Sequence, residues 1–514
     1  MTDVAHLIHE SGKLSLSGLI RHHARYHAER IAVEDERRLL TYGELEERAN
    51  RIANALLAAG LKRGDRIAAL MENRCEFVEI EVAAAKLGLI VAALNWRLTD
   101  EELRHCIELV TPSLFFVSGR YTETLVRLGY GGDRLIDLDR DFEAMLRATP
   151  AKEAPNLAQP EDGLIILYTS GTTGMPKGAL ISQRAVIARS QIFYHDLRLD
   201  EADAFVAWAP FFHMVSNDHA MATLIHGGRV IVIDGFQPDK LVETVSRHRI
   251  GWFVVMPGMI ERLAEELKKR QTVPAGIKAI GAMADLVPRH QLAEITTLLR
   301  APYVNSFGAT ETGLAPASKN FVAIGTMPER LPKEQSSYCE IRLVDEDDVE
   351  VPDGEPGELA IRGPSLFSGY WQNPETNAKD FRHGWFHMGD VFVRHPDGTL
   401  EFVDRRKYLI KSGGENIYPA EIERVLLADP RIDEAVVVRR RDPQWGEVPV
   451  AFVVPRDPSL TVEDVLALCE GKLARYKFPK EIRFITHEEV PRSTTGKVQR
   501  HHLEVRLKEE KRSI

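Results

Sequence analysis

The chain has 514 residues, of which 44% are hydrophobic and 28% are charged, and its formal net charge at pH 7 is -10. This length exceeds what one hydrophobic core usually organises, so two or more domains are expected. The acidic balance argues against a general nucleic-acid-binding protein, because such proteins need a surplus of basic residues to neutralise phosphates.

The cysteines and the N-terminus indicate a cytoplasmic protein. Four cysteines lie far apart without a C-x-x-C pair, a pattern that favours neither a zinc site nor a disulfide framework and that suits a reducing compartment. The first residues lack the basic start and apolar core of a signal peptide. The longest apolar stretches, such as residues 87–94, are shorter than the about 20 residues that span a bilayer, so no transmembrane segment is predicted.

Helices and strands alternate through the first third of the chain. Thr41 and Glu44 have the spacing of a capping box at the start of a helix that Gly60 would end. A strand begins at Ile67, helices are predicted over residues 76–89 and 103–109, and a strand is predicted over residues 114–117. This alternation predicts a doubly wound α/β layer.

The later part of the chain is predicted to contain a second α/β region, a β-rich segment and a smaller α/β unit. Helices are predicted over residues 241–247 and 259–269, and strands over residues 229–233, 252–256 and 278–281. Residues 338–404 are β-rich and broken by Asp-Gly and Pro-Gly turns. A smaller α/β unit follows, with strands near residues 434–438 and 450–454 and a helix from Thr461 to about Leu473.

The predicted fold class is therefore α/β. We expect a large N-terminal domain, residues 1–404, of doubly wound layers with a β-rich subdomain, and a small mobile α/β C-terminal domain, residues 405–514.

A loop rich in glycine and hydroxyl groups follows the apolar run of residues 164–167. Residues 168–178 read YTSGTTGMPKG, so backbone N–H groups, Ser and Thr hydroxyls and Lys177 could all face a phosphate. The spacing is not that of a Walker A loop, which requires G-x-x-x-x-G-K followed by Ser or Thr. Composition alone leaves a second interpretation open, a mobile surface hairpin.

The order of the residues in this loop is more specific than their composition. The loop resembles the signature loop of the adenylate-forming superfamily, which contains acyl-CoA synthetases, luciferases and peptide-synthetase adenylation domains. Five more segments resemble motifs of that superfamily and cover essentially the whole chain: PFFH at 210–213, NSFGATE at 305–311, WFHMGD at 385–390, DRRK through SGGEN at 404–416, and PRSTTGKVQR at 491–500.

The resemblance implies a reaction in two halves. A carboxylate attacks the α-phosphorus of ATP, releases pyrophosphate and forms an acyl-AMP; a thiol, usually that of coenzyme A, then displaces AMP and forms a thioester. The implied activity is an AMP-forming acyl-CoA synthetase, an acid–thiol ligase, with ATP, Mg²⁺ and coenzyme A as cofactors and a small carboxylic acid as substrate.

The resemblance also assigns roles to the residues that match these motifs. Lys497 would hold the carboxylate against the α-phosphate, Glu311 would ligate Mg²⁺, and His213 would gate the acyl pocket. Asp390 would bind the ribose hydroxyls, Arg405 the ribose or a phosphate, and Phe307 would stack on the adenine. The remaining nucleotide-binding residues are the loop residues Thr169, Ser170, Gly171, Thr172, Thr173, Gly174 and Lys177, with Gly308 and Thr310.

The second half-reaction implies a rotation of the small domain about a hinge near Lys407. Gly413 and Gly414 would then line the pantetheine tunnel. Trp445 and Tyr476 would stack on the adenine of coenzyme A, and the arginines at 439–441 would meet its phosphates, although core packing and a solvated basic run explain these residues equally well.

Lys497 also lies in a P-x₄-G-K pattern that is similar to the acetylated-lysine segment of bacterial acyl-CoA synthetases. A lysine acetyltransferase is therefore a candidate partner, because acetylation would remove the charge assigned to catalysis.

Several alternatives stay open from the sequence. The enzyme could load a carrier-protein thiol or activate an amino acid, for which Asp218 is the candidate partner of the amine, or the chain could be a nucleotide-binding regulator without turnover. The expected substrate is a medium-size fatty or aromatic acid, unless Asp218 and His219 recognise a polar tail. The oligomeric state is open, with a homodimer as one option. Acyl-pocket candidates are His213, Met214, Val215, Met256, Gly281 and Phe307.

Overall fold

The computed structural model describes residues 4–170, 175–256, 258–413, 415–492 and 498–510. Lys497, Gly414 and the loop residues Gly171, Thr172, Thr173 and Gly174 lie outside the described residues.

The first third of the chain forms alternating helices and strands, as predicted. Helix α3 begins with the predicted capping box, in which the Thr41 hydroxyl accepts from the backbone N–H of Glu44 and the Glu44 carboxylate accepts from that of Thr41. The elements are α1 Val4–Ser11, α2 Leu16–Tyr26, β1 Ile31–Glu34, β2 Leu39–Thr41, α3 Tyr42–Ala58, β3 Arg66–Leu70, α4 Cys75–Leu87, β4 Ile90–Ala93, α5 Asp100–Val110, β5 Leu114–Val117, α6 Gly119–Arg127, β6 Leu135–Asp137 and α7 Phe142–Ala148.

The second α/β region contains a hairpin followed by five helices with strands between them. Its elements are β7 Gly163–Ser170, β8 Pro176–Ser182, α8 Gln183–Asp196, β9 Phe205–Ala207, α9 Met214–Ile225, β10 Val230–Val232, α10 Pro238–Arg247, β11 Ile250–Phe253, α11 Ile260–Arg270, β12 Ile277–Ile280, α12 Arg289–Leu299, β13 Tyr303–Val304, β14 Phe307–Ala309, β15 Gly313–Ala317 and β16 Phe321–Val322.

The last two regions are a β-rich segment and a smaller α/β unit. The β-rich segment contains β17 Glu340–Val344, β18 Pro356–Arg362, α13 Pro374–Asp380, β19 Phe381–Arg382, β20 Trp385–Arg394 and β21 Leu400–Arg405. The smaller unit contains β22 Ile410–Ser412, β23 Glu415–Ile417, α14 Pro419–Leu426, β24 Ile432–Asp442, β25 Gly446–Pro455, α15 Val462–Ala467, β26 Glu481–Phe484 and α16 Arg500–Glu510.

Apart from the β14–β15 hairpin, the described strands of the two α/β regions form three sheets. One has the order β6-β5-β3-β4-β7-β8, parallel except at the β7–β8 edge. A second has the order β2-β1-β10-β9, and a bridge between Ala204 and Ile250 leads to the third, β11-β12-β13-β16. Helix α4 is buried along its whole length, which is typical of a helix between layers of a doubly wound fold. The predicted α/β class is confirmed.

The β-rich segment and the C-terminal unit have their own sheets. The first is an antiparallel five-stranded sheet in which β18 and β21 flank β20, and a separate two-stranded hairpin joins β14 and β15. The C-terminal sheet has the order β23-β22-β25-β24, with β26 parallel to β25. Its apolar residues, between 410 and 507, form clusters separate from those of residues 16–400.

Two predicted segments differ in the structure. Much of the predicted loop at 168–178 is strand, because Tyr168, Thr169 and Ser170 pair with residues 176–178 and extend the β7–β8 hairpin. The helix predicted to reach Leu473 ends at Ala467, since Gly471 has a φ of +71°, which a continuing right-handed helix does not allow. No helix among the described residues combines the length and apolar character needed to cross a bilayer.

Candidate active site

The β14–β15 hairpin presents Glu311 at its turn. Gly308 lies opposite Pro316, and Ala309 lies opposite Gly313. A Cβ atom on Gly308 would lie 2.0 Å from the carbonyl oxygen of Gly313, so the two strands approach closely only because residue 308 has no side chain. The hairpin therefore requires glycine in the segment that carries the predicted metal ligand.

Tyr370 joins Glu311 to the glycine-rich hairpin. Its hydroxyl donates to Glu311 Oε1 over 2.7 Å, and Lys177 Nζ lies 5.0 Å from the centroid of its ring. Tyr370 also forms a bridge with Ala179 of β8. Burial, followed by the Glu311 carboxylate, raises the pKa of Tyr370, so the hydroxyl remains a donor at neutral pH. This contact brings together a predicted metal ligand and a predicted phosphate-binding lysine.

Asp380 places a second carboxyl group in the same region. It ends α13, and burial raises its pKa, a shift that Lys177 opposes and Glu311 reinforces. The sequence analysis missed both Tyr370 and Asp380. Neither lies in one of the motifs that carried the resemblance, and only the packing of the β-rich segment brings them near Glu311.

Asp390 and Arg405 face each other on neighbouring strands. They are paired in register on β20 and β21, and Arg405 Nε donates to Asp390 Oδ1 over 3.2 Å. Asp390 is buried, whereas the side chain of Arg405 is 44% exposed. The Asp390 carboxylate raises the pKa of Arg405, and Glu311 adds to the shift. The structure thus brings Asp390, Arg405, Glu311 and Lys177 to one region; that they bind a nucleotide stays a prediction.

Phe307 lies at the base of this region in an aromatic cluster. Its ring is stacked at 5.1 Å on Phe402 and meets Phe392 edge-on at 4.8 Å. The face on Phe402 is therefore occupied by protein. Stacking of Phe307 on an adenine stays a prediction.

Arg189 forms hydrogen bonds that hold the backbone segment before Glu311. Its guanidinium donates to the carbonyl oxygen of Thr310 over 3.0 Å, to that of Ser365 over 2.9 Å and to Asp218 Oδ2 over 2.8 Å. Arg189 and Asp218 are almost completely buried. Arg189 therefore holds the backbone of Thr310, a predicted site residue, and no sequence motif indicated this contact.

The buried pair weighs against two of the open alternatives. Oδ2 of Asp218 is engaged by Arg189, whereas its buried Oδ1 has no partner among the described residues. Because Arg189 already balances the charge of Asp218, this carboxylate is a poor partner for the amine of an amino-acid substrate. His219 lies in the core with Nδ1 2.6 Å from the carbonyl oxygen of Val215, and its ring packs on Phe193 and Trp252. Burial lowers its pKa to about 4, so it is neutral at pH 7. Recognition of a polar tail by these two residues is not supported.

His213 lies at the N-terminal cap of α9. It is half-buried, and its ring lies 5.0 Å from that of Phe212. Met214 and Val215 follow it on the helix and are also half-buried. That these residues line an acyl pocket stays a prediction.

Gly413 and Trp445 lie together in the C-terminal unit. The backbone N–H of Gly413 donates to the carbonyl oxygen of Trp445 over 2.8 Å, and a Cβ on Gly413 would lie 2.8 Å from the Trp445 ring. Tyr476 lies in a separate 3₁₀ turn, Arg475–Lys477. Two of the three consecutive arginines pair with acids of their own unit, Arg439 with Glu504 and Arg440 with Glu481.

The described residues on the two sides of the segment 493–497 contact each other and the C-terminal unit. Arg492 and Val498 form an antiparallel bridge across it, and the backbone N–H of Gln499 donates to the carbonyl oxygen of Pro491 over 2.8 Å. Arg500 pairs with the buried Glu423. The described residues on both sides of 493–497 are therefore tied to the body of the C-terminal unit.

Comparison with known protein families agrees with this arrangement of residues. Residues 20–371 match the family model described as AMP-binding enzyme, and residues 421–497 match the model of the AMP-binding enzyme C-terminal domain.

Curated relatives and solved structures are similar over almost the whole chain. The indoleacetate–CoA ligase of Aromatoleum aromaticum is 34% identical over 95% of this chain and 97% of its own length. The feruloyl-CoA synthase of an Amycolatopsis species is 34% identical over 92% of this chain and 95% of its own. The o-succinylbenzoate CoA synthetase of Bacillus subtilis, solved with its acyl-adenylate intermediate, has a TM-score of 0.82 at 27% identity, covering 96% of this chain and 98% of its own.

The matched models together cover most of the chain, and the relatives are named as a CoA ligase and a CoA synthase. The chain accordingly belongs to the AMP-binding enzymes, in the acyl-CoA synthetase family that forms an acyl-AMP from ATP and a carboxylate before transfer to coenzyme A.

Proposed function

We propose that the substrate of this CoA ligase is an aromatic carboxylic acid. The support comes from its relatives, whose names refer to indoleacetate and ferulate. The observation that carries the chemistry is the contact of Glu311 with Tyr370 beside Lys177, close to the Asp390–Arg405 pair. A medium-size fatty acid is the alternative substrate.

In the proposed mechanism the nucleotide binds across the β7–β8 and β14–β15 hairpins. Lys177 and the backbone and hydroxyls of residues 169–174 would hold the departing phosphates. Asp390 would accept hydrogen bonds from the two ribose hydroxyls, since one carboxylate offers two acceptor oxygens. Arg405, beside it, would balance the charge of Asp390 and face the α-phosphate.

The donor set fits Mg²⁺ bound jointly by protein and nucleotide. Among the described residues, no group of three His, Cys, Asp or Glu side chains is placed to hold a metal by itself. Glu311, with Asp380 nearby, offers the hard carboxylate oxygen that Mg²⁺ prefers, and phosphate oxygens and water would complete the shell. When bound, the ion would neutralise charge on the departing pyrophosphate. Tyr370 would fix the orientation of the Glu311 carboxylate.

We further propose that the chain divides into domains of residues 1–404 and 405–514, with the hinge near Lys407. The separate apolar clusters of the two parts support this division. The 3₁₀ turn Arg406–Tyr408 between them exposes Arg406 and Lys407. Rotation there would bring Lys497 to the site for adenylation and the segment around Gly413 for thioester formation. Trp445 and Tyr476, both partly exposed aromatic residues, would contact coenzyme A.

The catalytic role of Lys497 is testable by separating the half-reactions. Lys497→Ala should lower pyrophosphate exchange by about 100-fold or more, because a charge on the transition state is lost. Thioester formation from supplied acyl-AMP should remain. Lys472→Ala, at an exposed lysine of the same unit, is the control and should leave both rates unchanged. Equal loss of both half-reactions would contradict this role.

Lys497 is also the proposed target of a lysine acetyltransferase, which would switch off adenylation by neutralising the same charge. Incubation with an acetyltransferase and acetyl-CoA, followed by mass spectrometry of the 493–500 peptide, tests this regulation. An unmodified Lys497 with unchanged activity would refute it. The four free thiols support a reducing location, for which we propose the cytoplasm.

The substrate is tested by pyrophosphate release with ATP and Mg²⁺. The panel contains indoleacetate, ferulate, 2-succinylbenzoate, a medium-chain fatty acid and an amino acid, each with and without coenzyme A. We expect sustained release with an aromatic acid only when coenzyme A is present. Preference for the fatty acid would replace the substrate class, and sustained release without coenzyme A would contradict free coenzyme A as the acceptor.

A further inference from the structure

Arg456 connects the C-terminal unit to two helices of the large N-terminal part. It follows β25 directly, and its Nη2 donates to Glu261 Oε1 of α11 over 3.0 Å. Its Nη1 lies 3.4 Å from Nε2 of His290, in the first turn of α12. One side chain of the small unit thus contacts two neighbouring helices that belong to the other part of the molecule.

The partners of Arg456 on the large part are held in place by their own neighbours. Glu261 Oε1 also accepts from Nε2 of Gln291 over 2.9 Å, and Gln291 is buried. The Glu261 carboxylate is therefore oriented before Arg456 reaches it, although Glu261 itself is 61% exposed. A charged and oriented acceptor on α11 presents a fixed docking point to the small unit.

Arg456 is also anchored on its own side. Its Nε donates to Asp433 Oδ1 over 2.6 Å, and its backbone N–H donates to the carbonyl oxygen of Arg431 over 2.8 Å. Asp433 lies in a bulge of β24, beside Glu434, which pairs with Arg492. The position of Arg456 is thus coupled to Arg492 through adjacent residues of one strand.

We propose that Arg456 is a positioning residue that latches the C-terminal unit onto α11 and α12 in the arrangement of this structure. The proposal rests on the proposed function, because it assumes that the unit rotates about Lys407 between the half-reactions. Rotation separates Arg456 from Glu261 and His290, while its contact with Asp433 moves with the unit. The latch therefore favours one half-reaction over the other.

The exposure of the contact suits a latch that must open in every cycle. The side chain of Arg456 is 39% exposed, and solvent-exposed ion pairs shift an equilibrium by only about 1.5- to 5-fold. Because the pair is exposed, salt should screen it and weaken the latch.

Glu261→Gln is the most direct variant. It removes the charge that faces Arg456, retains a group for Gln291 and leaves the Asp433–Arg456 contact intact. We expect the ratio of the two half-reaction rates to change by about 2- to 5-fold, with one rate rising and the other falling. Wild-type protein in 0.5 M NaCl should shift in the same direction, and the variant should respond less to salt.

Glu265→Gln is the matched control, since Glu265 is exposed on the same helix. It should leave the ratio unchanged. If Glu261→Gln leaves the ratio unchanged as well, or lowers both rates together, the latch is refuted. An inactive wild type would instead refute the proposed function, and those two failures are therefore distinguishable.

A cross-link tests the latch independently of catalysis. In the double variant Glu261→Cys, Arg456→Cys, a short bismaleimide should join the two thiols rapidly, whereas neither single variant should form the link. Three of the four native cysteines are buried, which limits side reactions. The linked protein should retain one half-reaction and lose the other. Failure to link, or retention of both half-reactions after linking, would overturn the proposal.

Discussion

The buried carboxyl group of Glu81, which lies between α4 and α9, couples the stability of the protein to pH. Glu81 is completely buried, and its Oε2 accepts from Nδ2 of Asn217 over 2.7 Å. Burial raises the pKa of Glu81 from 4.5 to about 8. In the folded protein the group is thus neutral at pH 7, whereas in the unfolded chain it is ionised.

The sign of the resulting pH dependence follows from proton binding. Between pH 4.5 and 8 the folded state holds one proton more at Glu81 than the unfolded state does. The contribution of Glu81 to the free energy of unfolding therefore falls as pH rises through this window, by up to about 1.4 kcal/mol per pH unit. Above pH 8 the loss is complete.

Glu81→Gln should remove this contribution, because the amide mimics the protonated carboxyl. We expect the Tm of the variant, measured by thermal denaturation at pH 5, 6, 7 and 8, to rise relative to wild type as pH increases. The control is Glu108→Gln at an exposed position of α5, which should follow the wild-type profile. A constant difference between Glu81→Gln and wild type over this range would show that Glu81 does not titrate as inferred.

Among the elements of the site, the β14–β15 hairpin has the strongest influence on the position of Glu311. Its sequence, NSFGATE, indicates nucleotide chemistry through its resemblance, but the reason for Gly308 is visible only in the pairing of the two strands. The Gly313 carbonyl occupies the space that a side chain at 308 would need. The same hairpin receives the Tyr370 and Arg189 contacts, so its shape determines where Glu311 points.

Gly308→Ala should consequently damage both stability and adenylation. A methyl group 2.0 Å from a backbone oxygen forces the strands apart, at a cost of about 1–3 kcal/mol. We expect a lower Tm and a loss of pyrophosphate exchange. Gly131→Ala is the matched control, since the nearest atom to its added Cβ lies 3.8 Å away. Unchanged pyrophosphate exchange in Gly308→Ala would contradict the role of the hairpin.

For the whole molecule, the connection between the two parts has contacts on both sides of the proposed hinge. Asp404, before it, accepts from the backbone N–H of Ala420 in α14 over 2.8 Å. Arg406 pairs with Glu358 of β18 over 2.7 Å. Lys407 itself is exposed. The turn is therefore tied to both units.

Lys407→Pro should slow thioester formation more than adenylation. Proline fixes φ at about -65° and disfavours the helical region for Arg406, so rotation at this point is restricted. Single-turnover measurements of both half-reactions check the prediction. Lys407→Ala keeps the backbone free and separates the effect of the charge from that of the dihedral angle. If the proline variant retains both wild-type rates, the hinge lies elsewhere.

By itself, the sequence determined the fold class, many of the elements and the family. Apolar periodicity and local capping, as at Thr41–Glu44, depend on residues that are near in the chain, and the order of the motifs indicated the reaction. The prediction that the glycine-rich segment begins as a loop was wrong, because its first residues pair across the β7–β8 hairpin and this pairing outweighs local composition.

Only the tertiary structure decided how the charges of the site are balanced. Tyr370 meets Glu311 across 59 residues, Arg189 meets Thr310 across 121, and Arg456 meets Glu261 across 195. Such contacts have no local pattern, since they arise where elements distant in sequence pack together. The same packing makes Asp218 and His219 poor candidates for substrate binding. Burial and pairing, rather than residue type, determine which polar groups remain available to a ligand.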